Sequence, residues 1–370
     1  MTDGTKSSVL HERIMHALSA IQDPELNRSI VELGMVRDVT LDGLAARVTI
    51  ALTIPSCPMK GFFTETVPAR VQSEVPELTS VEVELDSMDD DERARISGDV
   101  RGNVTPVGLA GSKTRIIAVA SGKGGVGKST VAVNLAVALG RRGLRVGLLD
   151  ADVWGYCVPR LLGATAAPTI VGNLILPLEA HGIAALSLGN IIGAGRSVVW
   201  RGPMLHKALE QLLRDVHWDD RDILVIDLPP GTGDVSISLA QLLPGSASFL
   251  LVTTPPEVTQ EVASRAARML TDAGLTPLGV VVNMSTHICS ECGHVQPFTG
   301  DRPGVAIAEQ IDTRVVAEIP YEPELSNLSD ASEPIVVARP DSPAARAFNS
   351  LADTIAGQPD RARRLLPMLA

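Results

Sequence analysis

The sequence predicts an α/β protein in which a doubly wound, mostly parallel sheet follows a small α/β domain. Three observations carry that prediction. First, the apolar run 115–120 enters a glycine-rich loop and leaves it as the apolar helical stretch 131–139, which Gly140 and Gly143 stop. Second, four more short runs (145–149, 222–226, 247–253 and 278–282) alternate with helical segments. Nearly uninterrupted apolar strands separated by helices imply a parallel sheet covered on both faces. Third, residues ahead of 96 carry a different pattern, with strands that alternate polar and apolar positions as half-buried strands do.

In chain order, Val9 to Ile21 has helical spacing that Asp23-Pro24-Glu25 breaks. Residues 46–53 alternate as a strand, 62–75 read as a second helix, and 80–85 as another alternating strand. The acidic run Asp89 to Glu92 reads as a solvated face, and Gly98, Gly102, Pro106, Gly108 and Gly111 mark a linker. The expected organisation is therefore a small domain over 8–96, a linker over 97–112, a larger domain over 113–357 and a tail over 358–370. That tail is mildly basic and apolar, but it is short and holds Pro367, so it reads as a frayed terminus rather than a membrane anchor.

Composition narrows the function classes. Of 370 residues, 45% are hydrophobic and 20% charged, ordinary for a globular chain with a full core. The net charge of −11 argues against nucleic acid as the main partner, and 3% aromatics leave little for base stacking. No apolar run approaches a membrane span, and the first residues lack a signal-peptide core. Four cysteines are too few for a disulfide framework, so the chain reads as reduced and cytoplasmic.

The loop itself is Gly122-Lys123-Gly124-Gly125-Val126-Gly127-Lys128-Ser129-Thr130. Glycines let consecutive N–H groups turn toward phosphate oxygens at the start of a helix. Lys128 is expected to reach the β- and γ-phosphates, and the Ser129 hydroxyl to bind Mg²⁺. Asp227, at the end of the third predicted strand, is the second Mg²⁺ candidate, and Asp152 is the candidate for orienting a hydrolytic water. The stretch Pro229-Pro230-Gly231-Thr232-Gly233 suits a switch that senses the γ-phosphate. Asn283 is the candidate contact to the base. Met284-Ser285 offer no Asp to accept guanine N–H groups, so ATP is expected over GTP. Lys123, directly after the first glycine, is placed to reach a phosphate on a facing subunit, as trans-acting arginines do.

Cys289 and Cys292, two residues apart before Gly293, are spaced to chelate one soft metal centre. His287 and His294 lie almost too close in sequence to complete a relaxed local zinc site, whereas a symmetric dimer would supply four thiolates. A redox dithiol or two structural cysteines are the alternatives.

The loop resembles that of the MinD/ParA/nitrogenase-iron-protein class, in which the extra lysine works across a nucleotide-sandwiched homodimer. With Trp200-Arg-Gly-Pro203, Asp227 to Asp234, Asn283-Met-Ser285, Cys289-x-x-Cys292-Gly293, and Glu318-Ile-Pro320 ahead of Pro334-Ile-Val336, nearly the whole chain resembles the Mrp/ApbC family of iron–sulfur cluster carriers. Asp23-Pro24-Glu25 and the run 53–58 look like the small domain of iron–sulfur assembly factors. The resemblance implies an ATPase whose Cys289 and Cys292 hold a [4Fe–4S] cluster between the two subunits of a homodimer. It also implies exchange with cluster scaffold proteins and apo iron–sulfur proteins. The other readings are a positioning ATPase of the MinD or ParA kind, which would not need the cysteines, and an ATPase with a structural zinc. Two departures stand out. Val153-Trp-Gly-Tyr-Cys157 replaces a Tyr-Gly-Pro-Ser-like run and brings a third thiol toward the nucleotide, and residues 299–304 replace a glycine-rich stretch. Cys57 is open to a transfer role or a packing role.

Overall fold

The computed structural model describes residues 3–26, 28–54, 59–102, 107–108, 112–192, 202–218, 221–231, 233–243, 245–289, 292–298 and 303–358. Cys57, Trp200, Arg201, Thr232 and the tail from 359 lie outside the described residues. The chain gathers into two units, Met1–Val104 with Thr169–Leu176, and Thr105–Pro168 with Pro177–Ala370.

The first unit runs α1 (Asp3–Ser19), β1 (Val36–Asp42), β2 (Ala45–Leu52), α2 (Lys60–Glu74), β3 (Ser80–Ser87) and α3 (Asp90–Gly102). Central β2 pairs antiparallel with β1 and parallel with β3. The alternation seen in the sequence puts Ala46, Val48 and Ile50 inward, against Ile14 and Leu18 of α1 and Phe63, Val67 and Val71 of α2. The acidic run is exposed and also starts a helix. Glu92 N–H donates to Asp89 Oδ1 at 2.8 Å while Asp89 N–H donates to Glu92 Oε2 at 2.9 Å, a reciprocal capping box. Gly98 and Gly102, expected in a linker, therefore lie in α3. Ile96 and Val100, four residues apart and buried, outweigh the ~1 kcal/mol that each glycine costs a helix. A hairpin later in the chain, β6 (Thr169–Val171) and β7 (Leu174–Leu176), adds Val171, Leu174 and Leu176 to the same core.

The second unit begins with β4 (Arg115–Ser121), α4 (Lys128–Gly140), β5 (Val146–Asp150) and α5 (Val158–Leu162). It continues with β8 (Leu178–Ala180), β9 (Ile183–Ser187), α6 (Leu188–Ile192), α7 (Gly202–Arg214), β10 (Ile223–Asp227), α8 (Asp234–Leu242) and β11 (Ala247–Thr253). After these come α9 (Glu257–Asp272), β12 (Thr276–Ile288), β13 (Val295–Pro297), α10 (Val305–Gln310) and β14 (Val315–Tyr321). Three helices close the described chain: α11 (Pro323–Asp330), α12 (Ile335–Ala338) and α13 (Pro343–Gly357). The sheet order is β13-β12-β11-β4-β10-β5-β9-β8, with β14 also on β12. All pairs are parallel except β12–β13 and β8–β9 at the two ends.

The predicted α/β class with a mostly parallel sheet is what forms, and the five expected strands are its centre. β4, β5, β10 and β11 are buried along their whole length. Helix α4 is buried along Val131–Leu139, packed with Phe348, Leu351 and Ile355 of α13 in one core. β12 outruns its expected end at Val282 because polar Asn283, Ser285, Thr286 and His287 interrupt the apolar run without ending the strand. Among the described residues no helix is long and apolar enough to cross a membrane.

Candidate functional site: a phosphate loop and a cysteine hairpin

Two glycines of the β4–α4 loop are fixed by close packing. A Cβ on Gly122 would lie 2.4 Å from the Ala263 nitrogen and 2.5 Å from the Val262 carbonyl carbon, both backbone atoms of α9. Gly127 has φ 80°, and a Cβ there would lie 2.2 Å from Asn283 Nδ2. Gly125 also takes a left-handed φ of 79°, a conformation that lets successive N–H groups converge on an anion. The loop borders a cavity of about 250 Å³. Of the sequence candidates, Lys123, Gly124, Gly125, Gly127, Lys128, Ser129, Thr130 and Asp152 line it, and Pro230 of the expected switch faces them. Gly122, Val126, Asp227 and Asn283 stand behind this lining.

Parallel register brings the carboxylates together. Asp227 at the end of β10 pairs with Asp150 at the end of β5 and with Val119 on β4. Lys128, 6% exposed, places Nζ 2.5 Å from Asp227 Oδ1 and 3.2 Å from Ser129 Oγ. Ser129 Oγ donates to Asp227 Oδ2 at 2.5 Å. The two residues expected to share a Mg²⁺ are thus in contact, with the ammonium expected to bind phosphate beside them. A hydroxyl and a carboxylate are hard oxygen donors that suit this ion.

Asp150 is fully buried, and its carboxylate accepts from the N–H groups of Asp152 (3.1 Å), Cys157 (3.2 Å) and Val158 (3.2 Å). Burial first, and the neighbouring Asp227 charge second, push its pKa up to about 7. Burial also pushes Asp227 up, while the Lys128 ammonium and the Ser129 hydroxyl draw it back. With one ammonium near two buried carboxylates, burial pushes both toward the protonated form and the Lys128 contact opposes this at Asp227.

Asp152 lines the cavity, and its Oδ1 accepts the Gly155 N–H at 2.9 Å. A Cβ on Gly155 would come within 3.0 Å of that carboxylate, so glycine leaves it room. Cys157 lines the same cavity, its thiol pKa raised chiefly by burial and opposed by a hydrogen bond with Ser129. Gly231, φ 87°, donates its N–H to the Ser121 carbonyl at 2.8 Å, tying the expected switch to the end of β4. Lys123 is exposed at the outer rim. Asn283 donates Nδ2 to the Val126 carbonyl at 2.9 Å, so this amide braces the loop.

The structure adds Asp150 and Gly155 to the site, and Cys157 lines the cavity as its place in the sequence implies. In the sequence Asp150 is only the acid that ends the run 145–149. Its proton follows from burial and register, which no local pattern reveals.

The cysteine pair stands elsewhere on the sheet. Beyond Asn283, β12 continues into a hairpin with β13, pairing Thr286 with Pro297 and Ile288 with Val295. Its turn is closed by Cys289 N–H to the His294 carbonyl (3.0 Å) and Gly293 N–H to the Cys289 carbonyl (2.9 Å), with Gly293 at φ 70°. Cys289 is half-buried and Cys292 exposed. Among the described residues no group of three or more His, Cys, Asp or Glu side chains gathers to hold a metal ion.

Residues 112–356 match the family model of the NUBPL iron-transfer P-loop NTPase, and residues 11–85 match that of an iron–sulfur cluster assembly protein. The chain is 44% identical over 362 residues to an iron–sulfur cluster carrier protein of Mycobacterium tuberculosis, covering 95% of this chain and 94% of that one. A protein of the same name from Deinococcus radiodurans is 41% identical over 351 residues, 94% of this chain and 95% of its own. Among solved structures, a nucleotide-binding protein of Archaeoglobus fulgidus in complex with ADP superposes with a TM-score of 0.55 at 31% identity, over 63% of this chain and 91% of that one.

Proposed function

The chain belongs to the family of iron-transfer P-loop NTPases, and from that premise we propose that it is an ATP-hydrolysing carrier of iron–sulfur clusters. Its cargo would be a labile [4Fe–4S] cluster held by Cys289 and Cys292 of two copies of the chain and passed to apo iron–sulfur proteins. The observation that carries the reading is the presence on one chain of two separate devices. One is a phosphate loop whose Lys128, Ser129 and Asp227 already converge, and the other is a hairpin that presents two thiols and leaves Cys292 exposed. A cluster wants four thiolates and each hairpin offers two, so a second copy would complete the set. Few ligands and an exposed position favour release.

At the nucleotide site, Mg²⁺ held by Ser129 and Asp227 would neutralise charge on the β- and γ-phosphates. Lys128 would bind the same phosphates, and the loop N–H groups from Gly122 to Thr130 would cradle them. Asp152 would orient the attacking water, and Lys123 would reach the phosphates of the facing subunit. Asn283, seated against the loop, would contribute to the base pocket. Cluster scaffold proteins would supply the cargo. This role needs neither nucleic acid nor membrane as partner, and a reduced, cytoplasmic setting suits thiolate ligands.

The test is to measure iron, acid-labile sulfide and zinc after anaerobic reconstitution, on the wild type and on Cys289→Ala/Cys292→Ala. About four irons and four sulfides per two chains, lost in the double variant, support the reading. Stoichiometric zinc without cluster uptake moves the cysteines to a structural role.

A further inference from the structure

The strand that carries the cysteine pair is also the strand that touches the phosphate loop. At that contact Asn283, 7% exposed, donates to the Val126 carbonyl. A Cβ on Gly127 would lie 2.2 Å from Asn283 Nδ2 and 3.8 Å from Met284 Cε, so the Asn283 amide occupies the space beside this loop residue and the end of the Met284 side chain lies nearby. The next backbone feature is unusual. Met284 has φ 54°, inside a strand, whereas the other non-glycine residues with positive φ among the described residues (His181, Asp312 and Ser332) sit in turns. Pairing of β12 with β14 breaks at the same place, its register shifting between Asn283 and His287. Past the break β14 keeps the pair of His287 with Tyr321, β13 joins on the strand, and Cys289 follows. β12 is therefore two stiff segments. The first is seated against the phosphate loop, the second is the cysteine hairpin, and Met284 joins them in a conformation that L side chains rarely adopt.

We propose that Asn283 and Met284 form a joint through which occupancy of the phosphate loop sets the reactivity of the Cys289–Cys292 pair. The proposal rests on the nucleotide reading of the loop given above. A ligand shifts a conformational equilibrium only through contacts that differ between two states. A phosphate seated on Val126 and Gly127 changes the surface against which Asn283 is seated, and Met284 is the residue that links this contact to the hairpin. Beyond it the pairs of Thr286 and Ile288 with β13 and the two turn hydrogen bonds hold the hairpin together as a piece, with His287 paired to Tyr321 of β14 at its base. Asn283 and Met284 are positioning residues, and neither would touch the cargo.

The experiment pulses the full chain with iodoacetamide, with and without Mg²⁺ and AMPPNP at saturation, and reads each cysteine by peptide mass spectrometry. Cys157 lines the nucleotide cavity and serves as the occupancy reporter. The wild type is expected to show Cys157 protected and the alkylation rate of Cys289 and Cys292 changed about fivefold or more. In Met284→Gly, where glycine accepts the positive φ and the fold is kept, Cys157 should stay protected while the ratio at the pair returns close to one. Protection of Cys157 with an unchanged pair in the wild type, or with the wild-type ratio retained in Met284→Gly, overturns the joint and leaves the nucleotide reading standing. Failure of AMPPNP to protect Cys157 or to bind at all brings down that reading, and the joint with it.

Discussion

Asp150→Asn tests the electrostatics of the site without touching a residue expected to contact phosphate. In the ligand-free protein Asp150 holds its proton up to about pH 7, whereas an unfolded aspartate loses it near the ordinary 3.8. A folded pKa above the unfolded one means that the folded state binds the extra proton between these values. Its contribution to stability is therefore complete below about pH 4 and is lost as pH rises to about 7. The slope is about −1.4 kcal/mol per pH unit, and the full span amounts to about 4 kcal/mol. Asparagine cannot ionise, so this slope vanishes. It also has a single acceptor oxygen for three backbone donors, which costs about 1–3 kcal/mol, but at every pH alike. The difference between variant and wild type should therefore move in favour of the variant by about 3 kcal/mol between pH 5 and pH 8. Urea unfolding without nucleotide or Mg²⁺, followed by fluorescence of Trp218, which is fully buried in the second unit, measures it. Parallel profiles for the two proteins would refute the reasoning, because Asp150 would then be ionised across the range.

Other outcomes follow from the same geometry. Gly122→Ala drives a methyl group into the backbone of α9, so a loss of about 1–3 kcal/mol is expected in thermal melts, with weakened binding of a fluorescent ATP analogue. Lys128→Ala removes the cation that opposes the burial penalty on the Asp227 carboxylate. It should cost about 3–5 kcal/mol at pH 8, and Lys128→Ala/Asp227→Ala should recover part of that in a double-mutant cycle. Asn190, 7% exposed, donates to the carbonyls of Ala164 and Ala166 and accepts the Ser187 N–H. Its replacement by Ala leaves buried groups unpaired, and a chemical denaturation series should show a loss of about 2–4 kcal/mol.

The legible parts of the fold were those where local pattern and final environment agree. Fully buried β4, β5, β10 and β11 read as apolar runs, and the glycines at 122 and 127 read as a phosphate loop because their reasons are local to that motif. β9, Ile183 to Ser187, escaped because its small and apolar residues suit a helix as well as a strand. β14 escaped as an element because its Glu318 and Pro320 interrupt the run, although it pairs in parallel with β12. Gly98 misled because its helix is held by Ile96 and Val100, whose burial depends on the whole unit. In the site, Lys128, Ser129 and Asp227 were legible as chemistry, whereas the brace from Asn283 to Val126 spans 157 positions of sequence and needs the sheet order to be seen.

The hairpin β6–β7 bears on how this protein is made. The first unit has β1–β3 and α1–α3 by Gly102, yet Val171, Leu174 and Leu176, all buried in its core, are translated only after the phosphate loop and the first two strands of the larger sheet. A nascent chain therefore emerges with an N-terminal unit that has a gap where three apolar side chains belong, and synthesis must pass residue 176 before it can close. A fragment cut at residue 104 would keep that gap permanently. An expression design for the N-terminal unit should graft 169–176 onto it rather than stop at the apparent linker.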